Sequence, residues 1–177
     1  SSSAASDVYK RQEGCPFRGC LYFGLMITRD GPKVIEYNCR FGDPETQAVL
    51  PLMESDLFAA MRATTEGTLA QADVRFRDGA SCCVVLASGG YPEKYETGKP
   101  IMGLAQAEKT ARVYHAGTRA LEDGTLVTSG GRVLGVTAVA DDLPAAIRFA
   151  YEAADRIHFD GLHRREDIGA RALKALG

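Results

Sequence analysis

The stretch Val34-Ile35-Glu36-Tyr37-Asn38-Cys39-Arg40-Phe41-Gly42-Asp43-Pro44-Glu45-Thr46-Gln47 decides how the chain is read. Taken as a β-strand over Val34 to Phe41, it sorts by parity. Ile35, Tyr37, Cys39 and Phe41 point one way, and Glu36, Asn38 and Arg40 the other. One face can pack, while the opposite face lines up a carboxylate, a carboxamide and a guanidinium. Carboxylate and carboxamide oxygens are hard donors of the kind magnesium takes, one or two per ion with substrate phosphates completing the shell. An arginine further along the same face can clamp a phosphate or carboxylate through two parallel hydrogen bonds. The pattern therefore fits a metal–phosphate site, and it equally describes the solvated side of an antiparallel sheet.

The residues that follow weigh on that choice. Gly42-Asp43-Pro44 breaks the strand, Asp43 can cap a helix, and Pro44 suits the first helical position. Strand, charged face, tight turn and helix is an arrangement from which many nucleotide sites are built. Upstream, Leu21 to Arg29 is apolar and β-forming, and Asp30-Gly31-Pro32 supplies turn chemistry, so the two strands read as an antiparallel hairpin.

Lys33 to Gln47, together with Gly24-Leu25-Met26 and Asp30-Gly31-Pro32-Lys33, resembles the metal-binding segment of the ATP-grasp ligases. More narrowly it resembles the phosphoribosylamine–glycine ligases, or glycinamide ribonucleotide synthetases, of purine biosynthesis. Further motifs of that family follow in order: Gly90-Tyr91-Pro92 with Tyr95 and Gly98, His115-Ala116-Gly117-Thr118, Thr128-Ser129-Gly130-Gly131-Arg132-Val133, and Asp167-Ile168-Gly169. The similarity runs from about Gly19 to the C-terminus.

The resemblance implies an α+β chain: the C-terminal part of an ATP-grasp domain, antiparallel strands plus helices, followed by a small mixed α/β C-terminal domain. It implies the reaction ATP + glycine + 5-phosphoribosylamine → ADP + phosphate + glycinamide ribonucleotide, through a glycyl phosphate. Glu36 and Asn38 are the expected ligands of Mg2+ or Mn2+. Arg40 is expected to stabilise the γ-phosphate or the acyl phosphate, and Asp43 and Glu45 to orient the glycine ammonium or the ribosylamine. Asp43 as a helix cap, Glu45 at the positive end of the helix and Arg40 in a surface ion pair are the structural alternatives. The family's adenine-contacting segments lie upstream, so the chain is expected to be a C-terminal fragment that needs the N-terminal half of the same enzyme and is inactive alone. A different ATP-grasp carboxylate–amine ligase, a biotin carboxylase relative, and a non-catalytic module retaining the fold are the competing readings.

Composition narrows the class. A chain of 177 residues with 45% apolar and 25% charged residues is ordinary for a globular protein. Its net charge of −2 argues against a general nucleic-acid or anionic-membrane surface. No apolar run approaches the ~20 residues that span a bilayer, and no signal peptide is visible. The five cysteines, Cys15, Cys20, Cys39, Cys82 and Cys83, lack metal-ligand spacing and fit reduced thiols in a cytoplasmic protein.

Residues 1–12, rich in Ser and Ala at the start, read as an extraneous leader or a fraying terminus. Residues 13–67 read as the ATP-grasp portion and 68–177 as the C-terminal ligase domain. A short helical run after Asp43 is interrupted by Pro51. Ser55 offers a cap for a helix from Asp56 to about Thr65, buried through Leu57, Phe58 and Met61 and closed by Gly67. Strands are predicted at Ser81–Ala87, Arg112–His115, Thr125–Thr128 and Arg132–Ala140. A helix follows Asp142, carrying Leu143, Ile147, Ala150, Tyr151, Ala154 and Ile157 at helical spacing and stopping at Gly161. A short tail runs from Ala172 to Leu176. Gly130-Gly131-Arg132 could offer peptide N–H groups to a phosphate or simply turn, and His115 reads as a proton carrier or a loop hydrogen-bonder. His158 and His163 read as surface residues.

Overall fold

Two runs of branched and small apolar residues, β3 (Ala80–Ser88) and β7 (Arg132–Ala140), pair antiparallel and set the architecture. The computed structural model describes residues 13–176, so the leader reading for residues 1–12 lies outside the described residues. The chain separates into two compact units. The first comprises the described chain up to Asp43 together with Met53–Phe76, and the second comprises Pro44–Leu52 together with the chain from Arg77 onward. The segment 44–52, which the sequence grouped with the first part, thus lies in the second unit.

In the second unit β4 (Arg112–His115) and β8 (Leu162–His163) flank the central pair, giving a four-stranded antiparallel sheet in the order β4-β7-β3-β8. Cys82, Val84 and Leu86 stand opposite Ala138, Val136 and Leu134, and all six are buried. Helix α4 (Leu143–Ala154) covers that face with Ala146, Ile147, Ala150, Ala153 and Ala154, whose small side chains let helix and sheet approach closely. The helix starts where the sequence implies. Asp142 caps it by accepting from the Ala145 amide at 2.7 Å, and Pro144 sits in the first turn. It ends earlier than Gly161, at Ala154, and Ile157 reaches the core from the loop beyond, 2% exposed. Tyr151 anchors that loop, its hydroxyl donating to the Arg165 carbonyl at 2.7 Å and accepting from the Ile168 amide at 3.1 Å.

The opposite face of the sheet carries smaller residues and meets α1 (Glu45–Val49), where the Ser81 hydroxyl donates to the Ala48 carbonyl. A 3-10 turn over Leu50–Leu52, containing Pro51, follows α1. Four short elements complete the unit: α3 (Leu104–Ala107), the paired strands β5 (Thr118–Ala120) and β6 (Leu126–Thr128), and α5 (Ala170–Leu176). β5 and β8, of three and two residues, are not predicted from the sequence, whereas β6, of three residues, is.

The first unit holds the hairpin of β1 (Tyr22–Thr28) and β2 (Gly31–Asn38) and the helix α2 (Leu57–Glu66). The hairpin turns at Arg29-Asp30, one position before the predicted turn, with the Thr28 hydroxyl donating to the Gly31 carbonyl at 2.7 Å. Helix α2 is capped by Asp56, not Ser55: the Asp56 carboxylate accepts from the Ala59 amide at 2.8 Å, while the Ser55 hydroxyl bonds the Arg75 backbone. Gly67 closes it in the left-handed conformation, as predicted. Its predicted buried stripe is not buried, with Phe58 74% and Met61 52% exposed. Periodicity locates an apolar stripe without supplying the surface that would cover it. Among the described residues, every buried apolar side chain lies in the second unit.

The two units should therefore respond differently to truncation. Leu134→Ala is expected to cost about 2–5 kcal/mol in urea unfolding of the second unit. Phe58→Ala should stay within about 0.5 kcal/mol of the parent. Equal losses from the two substitutions would contradict the burial pattern.

Candidate functional site

The polar face of β2 rests on its register with β1. Tyr22 stands opposite Asn38, Phe23 opposite Tyr37 and Gly24 opposite Glu36; then the register slips, so that Leu25 faces Val34 and Met26 faces Lys33. One extra residue, Ile35, is accommodated on β2 as a β-bulge. Directly opposed residues share a face, so Glu36 and Asn38 stand with Tyr22, Gly24 and Met26, and the bulge brings Lys33 to that same side. Parity alone puts Lys33 with Ile35 and Tyr37. Val34 joins Phe23 and Tyr37 on the apolar side, where the two rings meet edge to face with centroids 5.1 Å apart.

The structure brings two of the predicted site residues together. Asn38 Nδ2 donates to Glu36 Oε1 at 3.0 Å, so the side-chain ends meet over the strand. This spacing suits a metal. Two cis ligands on an octahedron of ~2.1 Å radius lie about 3.0 Å apart, and the carboxamide can present its oxygen once its amide is turned. Among the described residues no group of three or more His, Cys, Asp or Glu could hold a metal ion. Two oxygen donors of this kind are compatible with an ion whose remaining positions are taken by other ligands.

Arg40 departs from the sequence reading. The strand ends at Asn38 because its partner begins at Tyr22, and Cys39-Arg40 form a bend. Arg40 is therefore not the third member of the strand's polar face; its Nη1 donates to the Phe41 carbonyl at 2.8 Å. Asp43 is exposed at the turn, and the N-cap position of α1 is Pro44. Glu45 opens α1 in the second unit and is exposed, an acidic group in the first turn as expected for a helix start.

The segments around Tyr91, Gly117 and Gly130-Gly131 meet at one end of the large sheet, whereas Asp167-Ile168-Gly169 packs on α4 through Ile147 and Tyr151. Ser88 donates from its hydroxyl to the Gly130 carbonyl and from its amide to the Gly131 carbonyl, both at 2.8 Å. Gly131 is buried under Tyr91, whose ring Cδ2 would lie 2.1 Å from a Cβ built there. Gly117 and Gly130 approach so closely that a Cβ on the former would meet the latter's Cα at 2.7 Å. Close loop packing accounts for these glycines. His115 Nδ1 lies 3.0 Å from the Thr118 hydroxyl, a contact within its own loop. His158 and His163 are exposed. A nearby cleft lined by Gly89, Lys94, Tyr95 and Asp160 contains Lys99, whose Nζ lies 2.7 Å from Glu96 and 3.3 Å from Asp160. The hydrogen bond to Glu96, aided by that to Asp160, holds its ammonium above the usual lysine range. Burial pushes the Cys82 thiol up to about 11, so it behaves as a small core hydrophobe.

Comparison with known proteins bears on all of these motifs. The family model "Phosphoribosylglycinamide synthetase, C domain" matches residues 81–171, just over half of the chain, and the corresponding "ATP-grasp (A) domain" model matches residues 7–46. The chain belongs to the phosphoribosylglycinamide synthetase family. A phosphoribosylamine–glycine ligase of Synechocystis is 50% identical over 165 residues, covering 92% of this chain and 39% of the relative. The crystal structure of phosphoribosylamine–glycine ligase from Thermotoga maritima superposes with a TM-score of 0.77 at 39% identity, covering 89% of this chain and 39% of that one. A biotin carboxylase from Campylobacter jejuni shares the fold alone, with TM-score 0.54 and 14% identity over 88% of this chain and 34% of that one. The chain thus spans about two fifths of the length of these two family members.

The contact between Gly131 and the Tyr91 ring can be probed from both sides. Gly131→Ala should cost about 1–3 kcal/mol because the Tyr91 ring must give way. In the Tyr91→Ala background the same substitution should cost clearly less, read as a coupling in a double-mutant unfolding cycle. Additive losses would rule out the contact as the cause.

Proposed function

We propose that these residues form the C-terminal portion of a phosphoribosylamine–glycine ligase, a cytoplasmic enzyme of purine biosynthesis that joins glycine to 5-phosphoribosylamine at the expense of ATP. The observation that carries the reading is the Glu36–Asn38 pair, 3.0 Å apart on one face of a strand within the segment matched by the family's ATP-grasp domain. Family membership, with a match across the C-terminal domain, favours this ligase over a biotin carboxylase, with which only the fold is shared.

The chemistry asks for charge neutralisation and positioning more than for an acid–base group. Glycine's carboxylate attacks the γ-phosphate of ATP, ADP leaves, and the ribosylamine nitrogen then displaces phosphate from the glycyl phosphate. Glu36 and Asn38 would hold Mg2+ or Mn2+, which when bound neutralises phosphate oxygens. Lys33 on the same face adds a positive charge near the same anions. Arg40, just beyond the strand end, is assigned to the γ-phosphate or the acyl phosphate. Asp43 and Glu45 are assigned to the glycine ammonium or the ribosylamine.

The apolar side of the hairpin also suits a portion of a larger enzyme. Leu25, Ile27, Val34, Ile35 and Tyr37 are all exposed, and we assign that side to packing against the rest of the ligase.

In the longer ligase carrying this segment, glycine-dependent ADP release is expected, with bicarbonate unable to replace glycine. Glu36→Gln should lower that activity by at least ~10-fold, the scale for loss of a metal's supporting contact. The 177 residues alone should release no ADP. Glycine-dependent turnover by the chain alone, or full activity in the Glu36→Gln enzyme, would overturn the proposal.

A further inference from the structure

We infer that Gly24 is a positioning residue for the Glu36 carboxylate, an inference that rests on Glu36 being a metal ligand. Gly24 is the direct cross-strand partner of Glu36, at the last matched pair before the register slips. A Cβ built on Gly24 would lie 2.9 Å from Glu36 Cγ, closer than real Cβ atoms come, with the next nearest atoms, the Glu36 backbone N and O, at 3.7 Å. The clash therefore falls on one methylene of one side chain and not on the ladder.

That geometry separates a positioning role from a structural one. Gly24 is not among the glycines with positive φ, so its backbone suits any residue. Alanine there is tolerated by the strand, and its lower chain entropy slightly favours the strand. What alanine removes is the space over which Glu36 lies down toward Asn38. Its methyl group would swing the Glu36 side chain about its first torsion and carry the carboxylate away from Asn38 Nδ2, now 3.0 Å distant. The bulge acts from the other side: by inserting Ile35 it pins which residue stands opposite Gly24. Gly24 and the extra residue at 35 together fix the direction of the carboxylate.

The test compares the parent with Gly24→Ala and Glu36→Gln in the longer ligase carrying this segment. In a crystal structure of Gly24→Ala, the Glu36–Asn38 separation should exceed hydrogen-bonding distance; retention of the contact overturns the proposal, whatever Glu36 does chemically. Binding of Mn2+–ATP, followed by the enhancement of water-proton relaxation that protein-bound Mn2+ causes, should weaken by ~10-fold or more in Gly24→Ala, with an unchanged melting temperature. A lowered melting temperature with undisturbed side-chain geometry would make Gly24 merely structural and overturn the proposal. If Glu36→Gln binds Mn2+ as the parent does, the metal-ligand reading fails, while the geometric arm still decides whether Gly24 sets the side chain.

Discussion

The antiparallel pairing of β3 with β7 is the constraint on which the second unit depends. Opposed residues on one face bury Val84 with Val136 and Leu86 with Leu134, and α4 seals them with alanines and Ile147. Once these strands are in register, the other features have little freedom. The β3 end places Ser88 against the Gly130 and Gly131 carbonyls, and the β7 start places Arg132 at the edge of the glycine loops. A one-residue slip would exchange the buried face for the one bearing Ser81, Cys83 and Thr137, which has no comparable apolar area. Hydrophobic burial, at roughly 25 cal/mol per Å2, thus selects the register, and the family's loop motifs inherit their positions from it.

Much of this was legible in the residues. Arg132–Ala140 and the cap at Asp142 announced themselves through a continuous apolar run and through an acidic residue ahead of proline. Gly67 stopped α2 as glycine does. The misses share a physical cause. Periodicity predicts which side of α2 is apolar, but burial requires a partner surface, so Phe58 and Met61 stay exposed. A strand persists only as far as its neighbour, so Arg40 lies in a bend although its parity suits β2. Neither a neighbour's first residue nor a covering surface is encoded in the window being read.

The hairpin offers the sharpest instance. Parity reading assumes strict alternation, and the bulge at Ile35 violates it at one position. Glu36 and Asn38 lie on the same side of that irregularity, so their common face was foreseeable. Lys33 lies across it, so its arrival on the polar face was not. Gly24 carried no signal either: a glycine within a strand marks a close approach, but only the register names the group that approaches.

On the reading proposed above, the hairpin offers a cation two oxygen-bearing side chains on one face. Two oxygen donors bind a hard cation weakly unless phosphates complete its shell. A pair of this kind would engage such an ion chiefly when phosphates accompany it. The demand then shifts from the number of ligands to their direction, because few contacts cannot average out a misplaced one. An exposed glutamate on an open strand has many rotamers, and ordering it costs conformational entropy. A neighbouring amide 3.0 Å away and an empty Cβ position across the ladder lower that cost by selecting one orientation beforehand. The backbone register, more than any further contact, holds the two side chains of this face in one arrangement.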